Sequence, residues 1–291
     1  MNAPVKIACI QMYAAYQKKK ENLRKAEEMV EEACANGANL LVLPEVFTGT
    51  SCTCRAEAYS QAEPIPDGET TRLLTRLSRT HGVYICGSFI EQDGTDLYNT
   101  AILTGPEGLI GKYRKLHLCG DELYYFEPGD LGIPVFHTPL GRIALLICLD
   151  TYYPETFRIA ALQGADIVCA CYHGMDLQKA RSLPEQLHTP IPVLCMANAL
   201  SNHMFVVGSN RVGNCNGYQA AGQSIIAGPF GAPIGPVAPH DQETILYAEV
   251  DLCDTRRRYL DATNSRLPNR RTDVYGTLLG YDPKEYPKQQ V

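Results

Sequence analysis

The segment that decides the fold is Ile143-Ala144-Leu145-Leu146-Ile147-Cys148-Leu149, near the middle of a chain of 291 residues. An apolar run without interruption is typical of a strand that is buried on both faces of its sheet. The run is also far shorter than the ~20 apolar residues that a membrane helix needs. Residues Leu40 to Leu43 form a second run of this kind, so we predict sheets that are covered by helices.

Helix and strand signals alternate on both sides of these two runs. Helices are predicted over Lys18–Ala35, Gly68–His81, Pro154–Gly164, Ile191–Leu200 and Asp254–Ala262. Strands are predicted over Val5–Met12, Val83–Ile90, Leu97–Leu103, Asp166–Tyr172, Met204–Ser209, Gln223–Ala227 and Ile245–Val250. No linker interrupts this alternation, which predicts one α/β domain over residues 1–291. From Asn264 onward the chain lacks periodicity, and residues 264–291 are predicted to form an extended C-terminal tail.

The composition excludes several classes of protein. With 26 Lys and Arg against 32 Asp and Glu, the formal net charge is −6, which argues against a protein that binds a phosphate backbone mainly by charge. The basic cluster Lys18-Lys19-Lys20 follows the first apolar segment, whereas the basic residues of a secretory signal come first. We therefore predict a cytoplasmic protein whose 12 cysteines are thiols, most of them small buried hydrophobes.

Two chemically active side chains lie at the C-terminal ends of the buried runs. The catalytic groups of covered sheets tend to lie just past such strand ends. Glu45 follows Leu43-Pro44, and a partly desolvated carboxylate there suits a general base, although a solvated loop glutamate is the simpler interpretation. Cys148 ends the central run. A sharp turn into the helix that begins near Pro154 would expose its thiol beside backbone N–H groups, and a buried structural cysteine is the alternative.

A third candidate is the cationic segment Gly111-Lys112-Tyr113-Arg114-Lys115-Leu116-His117-Leu118. Cations that cluster in this way usually form a solvated face. In an acidic protein, however, one lysine directed at a site would stabilise negative charge on a substrate oxygen. Each of the three candidates is a weak signal alone, and their order along one chain is far more specific.

In this order the sequence resembles the nitrilase superfamily of carbon–nitrogen hydrolases, and the resemblance runs along nearly the whole chain. The motifs that carry it are Leu43-Pro44-Glu45, Tyr113-Arg114-Lys115-Leu116-His117-Leu118, Cys148-Leu149-Asp150 with Tyr153-Pro154-Glu155, Gly208-Ser209-Asn210-Arg211-Val212-Gly213, Gly222-Gln223-Ser224 and Arg270-Arg271-Thr272-Asp273-Val274-Tyr275.

The resemblance implies a four-layer α-β-β-α sandwich and a catalytic triad of Glu45, Lys115 and Cys148. Many members have a second glutamate between the lysine and the cysteine. It maps best to Glu122, and Glu127, beside a Pro-Gly turn, is the competing assignment. The resemblance also implies a homodimer or a larger homo-oligomer, and the tail after Asn264 would suit a role at such an interface.

The residue types of the triad predict a thiol hydrolase that needs no metal or organic cofactor. Glu45 would take the thiol proton, and Cys148 would attack a small substrate to give a thioester that water then hydrolyses. Lys115 and the backbone N–H of Leu149 would hold the oxyanion.

The residues around the cysteine narrow the substrate. Leu149-Asp150 follows it, as in the amidase and carbamoylase branches, whereas enzymes that hydrolyse nitriles commonly have Trp-Glu there. Tyr152 stands at a position where carbamoylases of D-amino acids have an arginine for the carboxylate. Tyr172 ends the next predicted strand and His173 follows it, and both are predicted to line the pocket, although a structural role for the histidine is at least as good an interpretation. We therefore predict a small amide or N-carbamoyl substrate.

Three other functions are weighed against this one. The first is a nitrile-hydrolysing enzyme of the same superfamily, and the second is a catalytically silent member that acts as a binding or scaffold subunit. The third is a nucleotide-binding protein, which the lack of a glycine-rich phosphate motif after the first strand disfavours. A metal centre is not predicted, because the pairs Cys52/Cys54 and Cys169/Cys171 are spaced too closely for a usual zinc site.

Overall fold

Three sheets make up the β-structure in the part of the chain that the computed structural model describes, which is residues 4–49, 52, 54–178, 183–256 and 266–278. The strands are β1 (Val5–Gln11), β2 (Leu40–Val42), β3 (Tyr84–Asp93), β4 (Asp96–Gly105), β5 (Gly108–Arg114), β6 (Val135–Thr138), β7 (Gly141–Ile147), β8 (Ile167–Tyr172), β9 (Phe205–Asn210), β10 (Val212–Cys215), β11 (Tyr218–Ala221), β12 (Ile225–Ala227) and β13 (Thr244–Val250). The helices are α1 (Lys19–Ala35), α2 (Arg55–Gln61), α3 (Glu69–His81), α4 (Pro154–Leu162), α5 (Ile191–Asn202), α6 (Cys253–Arg256) and α7 (Thr272–Leu278).

The two large sheets have similar parallel centres and antiparallel edges. The first sheet has the strand order β13-β1-β2-β3-β4-β5, and the second has the order β12-β9-β8-β7-β6. Strands β1, β2 and β3 run parallel in the first sheet, as do β7, β8 and β9 in the second. The remaining pair, β10 and β11, forms a separate antiparallel hairpin. Such parallel centres need helical crossovers, which the alternation of helix and strand signals predicts.

The sheets pack face to face and each is covered by helices on its outer face. In β1, Ile7 and Cys9 pack into the core between the sheets, whereas Ala8 and Ile10 pack against helices α1 and α3. On the second sheet, α4 and α5 contribute Phe157 and Cys195 to the buried core. The predicted four-layer α-β-β-α sandwich is therefore confirmed.

Most predicted elements lie where the sequence pattern places them, with ends that differ by a few residues. The pattern does not predict α2, β5, β6, β10 and β11, because these elements are too short, or too rich in polar residues, to show a clear period. The predicted helix Asp254–Ala262 is helical over the described residues Cys253–Arg256, and the rest of it lies outside the described residues.

The prediction of an extended tail is corrected for part of its length, because Thr272–Leu278 is helical. The Arg271 side chain holds the Asp273 carboxylate at 2.7 Å in the first helical turn, and an acidic group there stabilises a helix. So short a helix carries too little periodicity to be recognised in the sequence. Among the helices of the described ranges, none is both long enough and apolar enough to cross a membrane.

Candidate active site

The ends of four strands from both sheets converge on one cavity. Glu45 follows β2, Lys115 follows β5, Cys148 follows β7, and His173 follows β8. Because parallel strands of a covered sheet end at the same edge, residues that are far apart in sequence come together there. A backbone hydrogen bond between the sheets supports this junction, since the N–H of Glu45 donates to the carbonyl of Tyr172 over 3.2 Å.

Glu45 is buried, with 3% of its surface exposed, and both of its carboxylate oxygens are engaged. Its Oε1 accepts hydrogen bonds from Lys115 Nζ and Asn99 Nδ2, both at 2.8 Å. Its Oε2 accepts the backbone N–H of His173 at 2.7 Å. The next residue, Val46, has a φ of +41°, which is a strained value for a β-branched residue. The Glu45 side chain is therefore held in one orientation toward the cavity.

Lys115 lies between two carboxylates. Its Nζ donates to Glu45 Oε1 at 2.8 Å and to Glu122 Oε2 at 2.7 Å, and only 1% of its side chain is exposed. Burial acts against the ammonium form, but Glu45 and Glu122 outweigh this and hold the pKa of Lys115 well above its ordinary value. The lysine is therefore a fixed positive charge at the base of the site.

Glu122 reaches the lysine from a 3₁₀ turn, Gly120–Tyr124. Its Oε2 also accepts the N–H of Cys119 at 2.8 Å, which fixes the side chain to its own turn. Burial raises the pKa of Glu122, and Glu45 acts in the same direction, whereas Lys115 opposes both. Of the two assignments for the second glutamate, the structure brings Glu122 to Lys115 and places Glu127 in an ion pair with Arg55 at 3.5 Å.

Cys148 occupies the bend between β7 and the 3₁₀ turn Cys148–Tyr152. Its φ of +44° is uncommon for a residue with a side chain and lets the chain turn sharply at the cavity wall. Burial raises the pKa of the Cys148 thiol well above its ordinary value, and Glu45 adds to this, while Lys115 acts in the opposite direction. The thiol is therefore protonated at neutral pH and needs a base to become a nucleophile.

Asp150 connects the 3₁₀ turn Cys148–Tyr152 to the end of β5, which Lys115 follows. It is fully buried, and its carboxylate accepts the Ile147 N–H at 3.2 Å, the Tyr113 hydroxyl at 2.7 Å and the His117 N–H at 2.9 Å. The His117 ring in turn stacks on Tyr153 with 3.8 Å between ring centroids. The aspartate that follows the cysteine by two residues thus has a structural role that fixes Cys148 relative to Lys115.

The cavity has a volume of about 280 Å³, which suits a small organic molecule. Glu45, Lys115, Glu122 and Cys148 line the cavity together with His173. The rest of its wall is largely apolar. That wall includes Val46, Cys52, Cys119, Tyr125, Phe126, Met175 and Tyr218, and Asp121 lies beside it. Most of these wall residues carry no motif, so sequence reasoning does not find them.

The predicted substrate-binding residues are only partly brought to this cavity. His173 lines it, and burial together with Arg211 and Lys115 holds the pKa of His173 well below its ordinary value, so its imidazole is neutral. Leu149 and Tyr152 follow Cys148 but do not contribute to the described lining. The Tyr172 side chain points away from it, with its hydroxyl 3.5 Å from Cys195 Sγ in the helix layer. Strand alternation explains this orientation, because the preceding residue, Cys171, faces Cys86 between the sheets with 3.8 Å between the sulfurs.

Asn99 is the polar residue of the site that the sequence analysis misses. It lies within β4, is buried, and contacts both Glu45 and Glu122 through Nδ2. Its signal in the sequence is weak, because Asp96 and Thr100 in the first half of this strand are polar as well. In the described ranges, no group of three or more His, Cys, Asp or Glu side chains is arranged to hold a metal ion.

Comparison with known proteins places this geometry in a family. The family model described as carbon-nitrogen hydrolase matches residues 6–258. The chain is 38% identical over 272 residues to a nitrilase of Pyrococcus abyssi, covering 93% of this chain and 99% of that protein. It is 31% identical over 278 residues to the N-carbamoylputrescine amidase of Arabidopsis thaliana, covering 90% of this chain and 91% of that protein.

A solved structure shows the same fold. A mutant of the Nesterenkonia AN1 amidase, from the nitrilase superfamily, aligns with a TM-score of 0.77 at 22% identity, covering 96% of this chain and 98% of that one. The family match over most of the chain confirms the resemblance that the spaced motifs indicate. The protein belongs to the carbon-nitrogen hydrolase family.

Proposed function

We propose that this protein is a thiol hydrolase that cleaves a non-peptide C–N bond of a small amide or N-carbamoyl compound and releases ammonia through a thioester at Cys148. The observation that carries the proposal is the placement of Glu45, Lys115, Glu122 and Cys148 around one cavity. Each supplies a part that amide hydrolysis needs: a base, a fixed positive charge, a partner for that charge, and a nucleophile.

In the first half-reaction Glu45 takes the proton of the Cys148 thiol while the sulfur forms a bond to the substrate's carbonyl carbon. The base is needed because burial keeps the thiol protonated. Negative charge then develops on the carbonyl oxygen. An ammonium has three N–H donors, and Lys115 directs two of them at carboxylates in the described contacts. The third, together with the backbone N–H of Leu149, would hold the oxyanion.

Collapse of this intermediate breaks the C–N bond. Glu45 returns the proton to the leaving nitrogen, so that ammonia departs and an acyl thioester remains on Cys148. A water molecule then gives one proton to Glu45 while its oxygen forms a bond to the acyl carbon. The C–S bond breaks, the Cys148 sulfur takes the proton back from Glu45, and a carboxylic or carbamic acid is released. Glu122 stays on Lys115 throughout and keeps the lysine in place.

The cavity favours a substrate without a carboxylate. Three carboxylates, those of Glu45, Glu122 and Asp121, line the cavity. Among the described lining residues, Lys115 is the one lysine or arginine. A carboxylate on the substrate would add a negative charge to a cavity in which carboxylates already outnumber the cation, so it would be repelled. The relative from Arabidopsis thaliana acts, by its name, on an N-carbamoyl amine, which is a substrate type of this kind.

A nitrile is the second candidate substrate. The relative from Pyrococcus abyssi, at 38% identity, is described as a nitrilase, although Leu149-Asp150 follows the cysteine here. Attack of Cys148 on a nitrile carbon leads to the same thioester after one water has been added and ammonia lost. A nitrile and its matching amide should therefore be assayed side by side.

The test is ammonia release from a panel of amides, N-carbamoyl amines and nitriles. Wild-type protein should release ammonia from at least one compound, and Cys148→Ala should lower the rate about 10³-fold or more. The control is Cys171→Ala, which changes a buried thiol between the sheets and should retain activity. Release that survives Cys148→Ala would contradict the mechanism, and no release from any compound would favour a silent binding subunit.

The protein is also expected to form a homodimer or a larger homo-oligomer. Apolar side chains on the outer helix layer support this: Ile159 and Leu162 on α4 and Val193 and Leu200 on α5 are 40–50% exposed. Size-exclusion chromatography with light scattering should give a mass of at least two chains. A monomer at assay concentration would contradict the expectation.

A further inference from the structure

Asn99 links the two carboxylates of the site by a route that does not pass through Lys115. We propose that Asn99 is a positioning residue that fixes Glu45 and Glu122 relative to each other and selects the Glu45 oxygen that takes the thiol proton. This inference rests on the proposed function, in which Glu45 is the base.

The geometry is a closed ring of hydrogen bonds. Asn99 Nδ2 donates to Glu45 Oε1 at 2.8 Å and to Glu122 Oε1 at 3.1 Å, while Lys115 Nζ donates to Glu45 Oε1 and Glu122 Oε2. The Asn99 carbonyl oxygen also accepts the backbone N–H of Lys115 at 2.9 Å. One asparagine therefore contacts all three charged residues that flank the nucleophile.

A second contact fixes which end of the Asn99 amide faces the carboxylates. The Ser88 hydroxyl donates to Asn99 Oδ1 at 3.2 Å and accepts the Val46 N–H at 2.9 Å. An ionised carboxylate only accepts hydrogen bonds, so the NH2 group points at Glu45 and Glu122, and the Ser88 hydroxyl proton on Oδ1 stabilises the same orientation. Ser88 and Asn99 are both buried, so neither can exchange this contact for water.

The ring also distinguishes the two oxygens of Glu45. Oε1 receives two donors, from Lys115 and Asn99, whereas Oε2 receives the His173 N–H in the described contacts. A carboxylate oxygen has two lone pairs, so Oε2 keeps one for the thiol proton. Without Asn99, Oε1 would regain a lone pair and the proton could go to either oxygen.

Charge balance gives the asparagine a second role. One ammonium faces two carboxylates, and burial together with Glu45 already raises the pKa of Glu122. The N–H bond that Asn99 donates to Glu122 favours the ionised form of that carboxylate without adding a charge. Removing it should make Glu122 easier to protonate.

The test compares Asn99→Ala and Asn99→Asp with a matched control on the same strand. Thr100 is the next residue, and its hydroxyl donates to buried Glu91 at 2.7 Å, away from the cavity. Asn99→Ala should lower kcat about 10- to 100-fold, because it removes two hydrogen bonds to charged groups. KM should change less than about threefold, since Asn99 does not line the described cavity. Asn99→Asp has the same shape but adds a third carboxylate, and its loss should be larger.

Two readouts separate positioning from mere structural support. The pH at which kcat falls on the acid side should rise in Asn99→Ala, because Glu122 without the Asn99 N–H takes up a proton at a higher pH and then holds Lys115 less firmly. The rate at which iodoacetamide alkylates Cys148, followed by peptide mass spectrometry, should also fall. The pH below which this rate declines should rise as it does for kcat. Thr100→Val should lower the free energy of unfolding and leave both pH profiles unchanged. The charged and titratable groups that face the carboxylate pair, and are common to all variants, are Lys115, Cys119, Asp121, Tyr125, Cys148, His173 and Arg211.

The inference would be overturned by two results together in Asn99→Ala. The first is a wild-type kcat when the rate is divided by the amount of protein whose Cys148 can be alkylated, and the second is an unchanged decline of kcat at acid pH. If Asn99→Ala does not fold, Ser88→Ala keeps the amide but removes the hydrogen bond to its Oδ1, and a wild-type kcat with an unchanged decline at acid pH in that variant would overturn the inference as well. The proposed function fails differently, because wild-type protein would then release no ammonia. The alkylation profiles still test Asn99 in that case, since they need no substrate.

Discussion

Two neighbouring cations at the end of β5, Arg114 and Lys115, form two separate ion networks with different surroundings. The Arg114 guanidinium donates to both oxygens of Glu91 at 2.8 and 3.0 Å, to Asp130 at 3.0 Å and to Asp93 at 2.6 Å. Lys115 binds two carboxylates at similar distances, but on the other side of the strand, where the cavity and Cys148 lie. Both are buried ion networks, and the sequence presents them as one basic cluster.

The two cations differ in whether a nitrogen-bound hydrogen remains for a substrate. All three guanidinium nitrogens of Arg114 donate to carboxylates, and two of these carboxylates, Asp93 and Asp130, are more than half exposed. Lys115 keeps one N–H and faces a protonated thiol across a cavity. A buried network becomes a candidate for catalysis when its cation has a spare donor beside a nucleophile, and otherwise it serves stability.

The largest effect is expected at Lys115. Lys115→Met keeps much of the side-chain volume and removes the charge, so kcat/KM should fall about 10³-fold or more because oxyanion stabilisation is lost. Ammonia release from the best substrate measures this. Activity within tenfold of wild type would show that Lys115 does not act on the reacting oxygen.

The matched change at the neighbouring residue should affect stability instead. Arg114→Met leaves Glu91 buried with Lys112 as its remaining cation, which should lower the free energy of unfolding by about 3–5 kcal/mol. Urea unfolding measures this, and activity per folded molecule should stay within about threefold of wild type. If Arg114→Met instead lowered kcat as much as Lys115→Met, the division between the two networks would be wrong.

A smaller effect is expected in the pH dependence of stability. Burial acts to raise the pKa of Glu91, but hydrogen bonds from Arg114, Lys112 and Thr100 outweigh it, and the pKa lies below the ordinary value. A carboxyl whose pKa is lower in the folded state stabilises the protein above its unfolded pKa, about 4.3, and loses that contribution as the pH falls through the folded value.

Glu91→Gln cannot titrate at this position, so it tests that sign. Its free energy of unfolding should be lower than that of wild type at pH 7, and the difference should shrink below about pH 4.3. Urea unfolding at a series of pH values measures the difference. A gap between the two proteins that stays constant down to pH 3 would contradict a stabilising role for ionised Glu91.

The two networks also show how far the sequence leads. The order of the motifs and the family resemblance predict Glu45, Lys115 and Cys148, and the resemblance maps the second glutamate to Glu122, with Glu127 as the competing assignment. The residue types of the basic cluster alone do not separate Arg114 from Lys115, whereas the pleat of β5 and the partners on each side do. Asn99 is missed because its partners come from distant segments of the chain.

Two misjudged features follow from local geometry. The prediction that Tyr172 lines the pocket overlooks strand alternation, which turns its side chain toward the helix layer. The helix Thr272–Leu278 is missed because a short helix leaves almost no periodic signal. The apolar wall of the cavity comes from several distant loops, so no local pattern identifies it.

The most direct test of the central claim is the mass of the reacting protein. Wild-type protein should be mixed with a turned-over amide, quenched in acid, and examined intact and after digestion. We expect an increase equal to the acyl group, located on the peptide that contains Cys148 and lost on treatment with hydroxylamine. Turnover with no such adduct in rapid-quench samples, or with an acyl group on another cysteine, would contradict the account.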